Sequence, residues 1–547
     1  MKRLCSTLLV LVALLSMMVA AVQANWQEQV KLLASDGEIE DRLGVSVAIS
    51  GNTGIVGAYM DDNRGLVDCG AAYLFDATTG QQMSKLTASD ADNYDQFGIG
   101  VAIDGDTAIV GAYGDDGYTG SVYVFDVSDP YNPVQTYKLV ASDRASPDMF
   151  GYTGIAISGN IALIGAHADD DRGFMSGSVY VFDLTSGREI AKFTASDAAP
   201  LAYFGISCAM SESKAIVGAC QGDQGCPSCP IPPGVAYLFD ISDPYHPVET
   251  CKLTASDGHG GDLFGISVAI SGNAAVVGAY NHYSSGLVES GSAYLFDVTD
   301  IHNPVQVRKL TASDPQAYAY FGHTVAISGN TALVGALWGD NAGLVDCGPV
   351  YVFDVTTGKQ LCKLTASDGA PYDQLGYSVA ISGSTIIAGA NQDDDSGSNS
   401  GSAYVFVEEP QLIPVAVDIK PSSCPNPLNV KSKGVLPVAV LGIEDFDVTT
   451  IDVSSVRLAG VAPIRSSFED VTTPAAEGEV CTTAGADGHI DLSLKFDTEA
   501  IVNALGEVSD GQVVELTLTG KLSDGTLIEG SDCVIIIKKE DKGKGGK

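Results

Sequence analysis

The sequence predicts an all-β protein: a seven-bladed β-propeller closed by its own N-terminal strand, followed by a β-sandwich-like domain. Three observations support this fold. The tripeptide Ala-Ser-Asp occurs seven times, at intervals of 53 to 60 residues. Each interval contains four short strand-like runs separated by turn residues, and it shows no helical periodicity. The array also begins with a run of the fourth type and ends with a run of the third type, as a closed ring requires.

The first 24 residues predict a signal peptide. Lys2 and Arg3 give a basic start, an apolar run extends from Leu8 to Val22, and the small residue Ala24 fits a cleavage site. The alternative interpretation is a membrane anchor, but the run is short for a membrane span and no basic segment follows it. We therefore expect cleavage near Ala24 and a mature protein that is secreted, either extracellular or periplasmic.

Each repeat predicts one propeller blade. The repeated aspartate is followed by a Phe-Gly or Leu-Gly pair, a strand, a tight turn, and a second strand that ends in Gly-Ala, as at Gly57-Ala58. An acidic loop, a third strand such as 122–126, and a fourth strand containing Lys-Leu complete the unit. About fifty residues per four-stranded unit is the size of a blade. We place the propeller at residues 25–407, with the repeat aspartates at Asp36, Asp90, Asp143, Asp197, Asp257, Asp314 and Asp368.

The ends of the array predict how the ring closes. Residues 30–33 match the fourth strand of the repeat, and residues 403–406 match the third strand. Seven strands of each type exist only if the N-terminal strand completes the last blade. Closure of this kind removes the exposed sheet edges that an open array would have.

The recurring Phe-Gly and Gly-Ala pairs resemble FG-GAP repeats, the propeller repeats of integrin α subunits and of many exported bacterial proteins. The resemblance covers about residues 26 to 407. It implies that ligands bind the face that carries the fourth-to-first and second-to-third strand loops. Integrin repeats often hold a calcium loop between the first and second strands, where this chain has turns such as Ser271-Gly272-Asn273. The resemblance therefore does not extend to calcium bound in that manner.

The composition is strongly acidic. The chain has 68 Asp and Glu against 29 Lys and Arg, a net charge of −39. This argues against a nucleic-acid partner, because phosphate binding needs a basic surface, and against docking on an anionic membrane. No stretch after the signal peptide is long and apolar enough to be a transmembrane segment. The charge is compatible with solubility by self-repulsion, or with loops that gather cations such as Ca²⁺.

We call the surface formed by the fourth-to-first and second-to-third strand loops the acidic face, and an insertion at residues 220–233 is expected on it. Two interpretations of its carboxylates remain open. In one, the repeat aspartates cap their own turns and the other charges are solvated. In the other, the clusters hold Ca²⁺, which takes six to eight oxygen ligands. The candidate metal ligands are Asp61, Asp62, Asp115, Asp116, Asp169, Asp170, Asp171, Asp393, Asp394 and Asp395.

No catalytic residues are predicted. Residues 44–48 and 265–269 match a Gly-x-Ser-x-small pattern, but the pattern recurs in four blades at a strand start, so the serines are interpreted as strand residues. The seven histidines form no His-Glu-x-x-His pair. His167 and His323 are interpreted as satisfied polar side chains near the acidic rim. The chain is expected not to be an enzyme.

The mature chain has eleven cysteines. Some should pair in an exported protein, and the odd number leaves at least one thiol free or bonded to another molecule. Cys226 and Cys229 are interpreted as a disulfide within their loop rather than a redox or zinc motif. The sequence leaves open the pairing among Cys69, Cys208, Cys220, Cys226, Cys229, Cys251, Cys347, Cys362, Cys424, Cys481 and Cys533.

The repeats stop before a second domain. We assign residues 408–412 to a linker, 413–538 to a β-sandwich-like module and 539–547 to a disordered basic tail. The segment Asp418-Ile-Lys-Pro, with Cys424 to Asn429, resembles an uncharacterised module at the ends of exported bacterial and archaeal proteins. The resemblance implies no activity, and it leaves association with the cell envelope through this module as one role.

The sequence as a whole predicts an exported, non-enzymatic binding or adhesion protein. Its acidic face would bind an extracellular protein or glycan, with Ca²⁺ as an open option. One alternative is a secreted lyase or hydrolase that acts on polysaccharide, because propellers also host enzymes. A compact His/Tyr/Arg cluster at the channel mouth would support that alternative. Another is a purely structural surface protein.

Overall fold

The computed structural model describes residues 26–220, 232–341, 343–409, 412–444, 446–474, 483–523 and 525–538. The predicted signal peptide with its predicted cleavage site, most of the insertion, Cys226, Cys229, Cys481 and the tail 539–547 lie outside these residues. The chain divides into two compact units. One is Ala24–Glu408, and the other includes Glu409–Lys547.

The first unit contains seven antiparallel four-stranded sheets, which confirms the predicted seven-bladed propeller. Within a blade, each strand pairs with the strand next to it in the chain. Blade 1 contains β2 (Val47–Ser50), β3 (Thr53–Ala58), β4 (Ala71–Asp76) and β5 (Gln82–Leu86). Blade 2 contains β6 (Phe97–Asp104), β7 (Thr107–Ala112), β8 (Ser121–Asp126) and β9 (Val134–Leu139). Blade 3 contains β10 (Ile155–Ser158), β11 (Ile161–Ala166), β12 (Ser178–Asp183) and β13 (Arg188–Phe193).

The remaining blades repeat this order. Blade 4 contains β14 (Phe204–Ser211), β15 (Lys214–Ala219), β16 (Val235–Asp240) and β17 (Val248–Leu253). Blade 5 contains β18 (Val268–Ser271), β19 (Ala274–Ala279), β20 (Ser292–Asp297) and β21 (Val305–Leu310). Blade 6 contains β22 (Phe321–Ser328), β23 (Thr331–Ala336), β24 (Val350–Asp354) and β25 (Gln360–Leu364). Blade 7 contains β26 (Leu375–Ser382), β27 (Thr385–Ala390), β28 (Ser402–Glu408) and β1 (Trp26–Leu32).

The N-terminal strand completes blade 7, as the sequence predicts. Strand β1 pairs antiparallel with β28, so that Lys31 lies opposite Tyr404. The first strand of each blade contacts the first strand of the next blade, and β26 contacts β2 in the same way. A parallel bridge between Leu43 and Gly401 also joins blade 7 to blade 1. The described residues therefore form a continuous ring of blades.

Glycine pairs allow neighbouring blades to approach closely near the axis. A Cβ atom on Gly57, in the Gly-Ala pair of blade 1, would overlap the carbonyl oxygen of Gly98, in the Phe-Gly pair of blade 2. The same backbone contact recurs at all seven junctions, which explains why both dipeptides recur together. The other pairs are Gly111 with Gly151, Gly165 with Gly205, Gly218 with Gly265, Gly278 with Gly322, Gly335 with Gly376, and Gly389 with Gly44.

The second unit contains two sheets that share one apolar core, as expected of a β-sandwich-like module. The first sheet has β29 (Leu412–Pro414), β37 (Leu527–Ile537), β36 (Val513–Leu522) and β33 (Ile451–Leu458), with β31 (Pro427–Asn429) paired to β37. The second has β30 (Val417–Ile419), β32 (Val435–Val440), β35 (Asp491–Asp497) and β34 (Arg465–Glu469). Core residues such as Leu436, Leu494 and Leu516 are almost fully buried between them.

Within the described parts of the chain, helical structure is limited to short segments. The longest of these is Thr498–Leu505, whose N-terminus is capped by the Asp497 carboxylate. A short helical turn, Asp115–Tyr118, lies in a loop of blade 2, and a 3₁₀ turn covers Val448–Thr450. Among the described residues, none of the helices has the length and apolar character needed to cross a membrane.

Candidate ligand-binding face of the propeller

Backbone hydrogen bonds join the two kinds of loop that form the acidic face. The second-to-third strand loop of each blade lies beside the fourth-to-first loop that leads into the next blade. In blade 1 the Tyr94 amide donates to the Val67 carbonyl at 2.8 Å, and in blade 5 the Tyr318 amide donates to the Val288 carbonyl at 2.9 Å. The Tyr372 amide bonds to Val345 in the same way, at 3.0 Å. The two predicted loop sets therefore form one surface.

The repeat aspartates are held by tyrosine and lysine side chains from the third and fourth strands of their own blade. In blade 3, Asp143 accepts a hydrogen bond from the Tyr180 hydroxyl at 2.8 Å and contacts Lys192 Nζ at 2.7 Å. All seven blades share this arrangement. The sets are Asp36 with Tyr73 and Lys85, Asp90 with Tyr123 and Lys138, Asp143 with Tyr180 and Lys192, Asp197 with Tyr237 and Lys252, Asp257 with Tyr294 and Lys309, Asp314 with Tyr351 and Lys363, and Asp368 with Tyr404 and Lys31.

This arrangement differs from the turn capping expected of the repeat aspartates. The amide-capping role belongs instead to a second aspartate, a few residues later in the same loop. Asp95 accepts a hydrogen bond from the Asp92 amide at 2.6 Å, and Asp148 accepts one from the Ala145 amide at 2.6 Å. Sequence reasoning assigned the wrong aspartate because the tyrosine and lysine partners are distant in the chain and meet it only through the register of the strands.

The contacts shift the ionisation of the groups involved. Burial alone would raise the pKa of Asp143, but hydrogen bonds from Lys192 and Tyr180 outweigh it and lower that pKa. Burial likewise opposes the charge on Lys192, but its carboxylate partners raise its pKa above the ordinary value. Burial and the adjacent carboxylates also raise the pKa of Tyr180. At neutral pH these groups are therefore an ammonium ion, carboxylates and a neutral phenol.

Ten aspartates were predicted as candidate metal ligands, and four of them are buried within these sets. Asp61, Asp115, Asp169 and Asp393 each contact the lysine of their blade at 2.7 to 2.9 Å. Asp171 and Asp395 reach the same lysines as Asp169 and Asp393, from exposed positions.

The other four candidates are exposed and bond within the acidic face. Asp62, Asp170 and Asp394 each accept a backbone amide of their own loop, at 2.6 to 2.8 Å. Asp116 pairs with Arg144 at 2.9 Å. All ten carboxylates thus have partners within the protein, and whether the face also binds Ca²⁺ stays a prediction.

Exposed aromatic side chains lie on the loops of the acidic face. Tyr94, Tyr318 and Tyr372 occupy the same position in three fourth-to-first loops, three residues before the conserved Phe or Leu of the repeat. Their backbones have φ of 68°, 63° and 73°, a left-handed conformation that is uncommon for a non-glycine residue. Tyr118 and Trp338 are exposed on second-to-third loops. We call these five residues the aromatic rim; sequence reasoning missed it, although the Tyr-x-x-Phe-Gly spacing is visible.

A second set of aromatic rings, which we call the inner aromatic set, directly follows the Gly-Ala pairs and the Phe-Gly or Leu-Gly pairs in the sequence. Tyr152 packs against Tyr113 with ring centroids 4.9 Å apart and against His167 at 5.2 Å. On the other side of the ring of blades, His323 packs against Tyr280 at 5.7 Å and Tyr377 at 5.3 Å.

The two histidines are neutral at physiological pH. Although both keep some solvent exposure, burial lowers the pKa of His167 and of His323 to about 4. The interpretation of His323 as a fully satisfied histidine is wrong at one atom, because its buried Nδ1 makes no hydrogen bond among the described residues.

The serines of the Gly-x-Ser pattern bond between blades. The Ser46 hydroxyl donates to the Gly98 carbonyl at 2.7 Å, and the Ser267 hydroxyl donates to the Gly322 carbonyl at 3.0 Å. These acceptors belong to the Phe-Gly pairs whose backbones meet the Gly-Ala pairs.

A model of the FG-GAP repeat matches seven segments of the chain: 26–75, 81–125, 133–182, 188–239, 247–296, 304–353 and 359–406. The chain belongs to the FG-GAP repeat family.

The FG-GAP assignment supports a propeller of the kind often involved in binding or adhesion. No curated protein matches the chain. Each matched segment runs from the fourth strand of one blade to the third strand of the next. The segments 81–125, 304–353 and 359–406 therefore include Tyr94, Tyr318 and Tyr372 of the aromatic rim.

The described cysteines differ in whether they form a disulfide bond. Cys424 is disulfide-bonded, as expected of some cysteines in an exported protein. Within the described residues of the FG-GAP array, Cys69, Cys208, Cys251, Cys347 and Cys362 form no disulfide. Burial raises the pKa of the Cys208 and Cys69 thiols, which makes them poor nucleophiles.

Proposed function

We propose that this FG-GAP protein is an exported, non-enzymatic binding or adhesion protein whose acidic face binds a glycan. The observation that carries the proposal is the aromatic rim, where Tyr94, Tyr318 and Tyr372 are each more than half exposed on equivalent loops. Flat aromatic rings offer an apolar surface on which the C–H face of a sugar stacks. Carboxylates on the same loops accept hydrogen bonds from sugar hydroxyls.

The spacing of the rim favours a glycan over a protein ligand. The three equivalent tyrosines belong to the loops that lead into blades 2, 6 and 7. Each of these blades therefore presents a separate ring at the same position of the repeat. A protein interface usually has a continuous, desolvated centre, whereas a polysaccharide offers repeated sugar faces. The net charge of −39 disfavours anionic glycans, so neutral or amino sugars are the expected ligands.

A binding assay with matched tyrosine variants tests the proposal. The mature chain would be titrated with neutral and amino-sugar polysaccharides by calorimetry, and then as Tyr94→Ala, Tyr318→Ala, Tyr372→Ala and the triple variant. Tyr131→Ala and Tyr245→Ala are controls, because both rings are also more than half exposed but lie on third-to-fourth strand loops of the opposite face. We expect the rim variants to weaken binding and the controls to leave it unchanged.

Two results would contradict the glycan proposal. One is the absence of binding to any neutral or amino-sugar polysaccharide. The other is an equal loss of affinity in the rim variants and in Tyr131→Ala or Tyr245→Ala, because binding would then not depend on the acidic face. Retention of a protein from extracellular material by the wild-type chain, and its loss in the rim triple variant, would replace the glycan with a protein ligand at the same face.

Calcium is not required by this proposal. The buried carboxylates Asp61, Asp115, Asp169 and Asp393 already neutralise lysines of their blades. A cation would have to displace those lysines, so we expect the thermal midpoint to be the same in EDTA and in millimolar Ca²⁺. A rise specific to Ca²⁺ that is lost in Asp170→Asn or Asp394→Asn would instead make Ca²⁺ part of the face.

The inner aromatic set favours a second candidate function, cleavage of a uronic-acid polysaccharide by β-elimination. The guanidinium of Arg42 beside this set would have to offset the repulsion between the acidic protein and such an anionic substrate. The hydroxyls of Tyr59, Tyr152 and Tyr377 and the guanidinium of Arg42 lie close enough to influence one another's ionisation. A neutral histidine and a phenol near a guanidinium are groups that can move a proton beside a carboxylate. Formation of unsaturated sugar ends by the wild type, lost in Tyr152→Phe and His167→Ala, would support this function. An inactive wild type would leave the binding role.

A further inference from the structure

Blade 5 departs from the other blades at one buried position of the acidic face. In blade 3 this position is Asp169, whose backbone carbonyl accepts the Gly177 amide and whose carboxylate contacts Lys192. Blades 1, 2 and 7 also have a buried aspartate at the equivalent position. In blade 5 it is His282, whose carbonyl accepts the Gly291 amide at 3.0 Å and whose side chain is almost fully buried.

The imidazole of His282 brings three potential ligand side chains together. Its Nε2 lies 3.7 Å from Asp262 Oδ2, and one donor atom from each of His259, Asp262 and His282 lies within 4.8 Å of the others. His282 and Asp262 are buried, whereas His259 is exposed. The cluster is thus rigid on its inner side and open to solvent on its outer side.

From this geometry we propose that His259, Asp262 and His282 bind a divalent transition-metal ion of the Zn²⁺ type. Two ligands that share a tetrahedral Zn²⁺, with bonds of about 2.0 to 2.2 Å, lie roughly 3.4 Å apart. The separation of 3.7 Å between His282 Nε2 and Asp262 Oδ2 is close to this value and too long for a direct hydrogen bond. Two imidazoles and one carboxylate suit Zn²⁺, Cu²⁺ or Ni²⁺ better than Ca²⁺ or Mg²⁺.

The surrounding residues can orient these ligands. Asp262 Oδ2 accepts the His259 amide at 2.6 Å, which fixes the carboxylate beside the histidine. His282 Nε2 lies 3.4 Å from the backbone carbonyl oxygen of Asp257, and Nδ1 lies 3.4 Å from the Ser292 hydroxyl. A metal at Nε2 would therefore replace the contact with the Asp257 carbonyl and leave the imidazole proton on Nδ1, where the Ser292 hydroxyl can accept it. The repeat aspartate Asp257 has one oxygen 3.8 Å from His282 Nε2, but that oxygen is held by Lys309 at 2.6 Å, so a water molecule would supply the fourth ligand.

The local charge is also suitable. Lys309 Nζ lies 3.5 Å from His282 Nδ1, which alone would oppose a cation, but Asp257 contacts the same ammonium group at 2.6 Å. Asp257, Asp262 and Lys309 together leave one negative charge. In blade 3, by contrast, the lysine contacts a buried aspartate that blade 5 lacks.

The test uses two variants with different risks to folding. His259→Ala removes an exposed ligand, and His282→Asp introduces the residue that blades 1, 2, 3 and 7 carry at this position. His246→Ala and His302→Ala are matched controls, because both histidines are exposed on third-to-fourth strand loops of the opposite face. The mature chain and the variants would be titrated with Zn²⁺ by calorimetry, with Co²⁺ followed by its absorption spectrum, and with Ca²⁺ and Mg²⁺ as reference ions.

We expect the wild type and both controls to bind one equivalent of Zn²⁺, with a tetrahedral Co²⁺ spectrum and a higher thermal midpoint. His259→Ala and His282→Asp should each weaken Zn²⁺ binding roughly tenfold or more while keeping the metal-free thermal midpoint near that of the wild type. Absence of Zn²⁺ binding in the wild type would overturn the proposal. Unchanged affinity in both ligand variants would also overturn it, because the metal would then be held by other groups such as cysteines.

Discussion

The positions that recur in every blade and the positions that differ between blades have separate roles in this propeller. The Gly-Ala and Phe-Gly backbones meet at all seven junctions, and a tyrosine and a lysine hold the repeat aspartate in all seven blades. The aromatic rim and His282 occur in only some blades. Recurring positions thus form the contacts that join and close the blades, whereas the ligand sites that we propose lie where individual blades depart from the repeat.

Among the substitutions compared at constant pH, one at the glycine contact of a blade junction should destabilise the protein most. A methyl group at Gly57 would overlap the Gly98 carbonyl oxygen of the next blade, and that backbone cannot move without opening the junction. We expect Gly57→Ala to lower the free energy of unfolding by about 3 kcal/mol. Urea denaturation followed by circular dichroism would measure the change.

Gly369→Ala is the matched control for this prediction. Gly369 lies on the acidic face, and a Cβ atom there would make an ordinary contact of 3.4 Å with Ala366. Its effect should stay within about 0.5 kcal/mol, as for other tolerated surface substitutions. Equal stabilities for the two variants would show that the blade junction can relax, and that the paired glycines are not what sets the spacing of the blades.

The next prediction compares the same lysine substitution in two blades, one with a buried aspartate beside the lysine and one without it. Lys192 of blade 3 contacts the buried Asp169, whereas Lys363 of blade 6 pairs with the half-exposed Asp314, and Gly339 occupies the position equivalent to Asp169. Lys192→Met should cost about 3 kcal/mol, because a buried carboxylate loses its counter-charge. Lys363→Met should cost about 1 kcal/mol or less. Thermal and urea unfolding of both variants would show the order, and a larger loss in Lys363→Met would contradict it.

The repeat made the architecture predictable, because the repeat period, the order of the strand types and the strand types at the two ends of the array can all be read from the sequence. Seven blades and closure by residues 30–33 followed from that pattern. The partners of Asp36 did not, because Tyr73 and Lys85 lie 37 and 49 residues away and reach it only through the side-chain direction in two strands. The helix Thr498–Leu505 was also missed, although Asp497 is a visible N-cap residue.

The candidate site was only partly visible for a similar reason. The sequence predicts ten aspartates as candidate metal ligands, but it does not show which groups they contact. In the structure, most of these aspartates bond to lysines or to loop amides. The aromatic rim depends on positive φ values at Tyr94 and Tyr318, which the residue type does not predict. His282, in contrast, is a departure that alignment of the repeats with one another would reveal, because Asp61 and Asp169 hold the equivalent position.

A smaller effect is expected from the tyrosine hydroxyl of the same networks. The Tyr180 hydroxyl lies within hydrogen-bond distance of both Asp143, at 2.8 Å, and Asp169, at 2.9 Å, whereas the Tyr351 hydroxyl of blade 6 donates to Asp314. Tyr180→Phe should cost about 1 to 2 kcal/mol, because a buried charged acceptor loses its donor. Tyr351→Phe should cost less, and Tyr94→Phe, with its ring exposed on the rim, should cost nothing measurable. A loss in Tyr94→Phe equal to that in Tyr180→Phe would contradict the assignment of the networks to stability.

A further effect concerns pH, and it distinguishes the two kinds of aspartate in one loop, those that cap loop amides and the repeat aspartates. Burial raises the pKa of Asp95 and of Asp373 to about 6, and that of Asp41 to about 7, from an ordinary value of 3.8. The folded state therefore binds protons that the unfolded state releases between about pH 4 and pH 7, so stability should rise as pH falls through this window. The repeat aspartates have the opposite shift, and their contribution is present above pH 3.8 and lost below it.

We therefore expect the thermal midpoint to rise as pH falls from 7.5 to 5, and to fall again below about pH 4. The triple variant Asp41→Asn, Asp95→Asn, Asp373→Asn keeps an oxygen for the loop amide but does not titrate, so its midpoint should be higher at pH 7.5 and flatter down to pH 5. Asp106→Asn, an exposed residue of a first-to-second strand turn, is the control for loss of charge alone and should keep the wild-type slope. If the triple variant also keeps that slope, the pH dependence arises from the overall negative charge of the protein, and the buried capping aspartates are ionised at neutral pH.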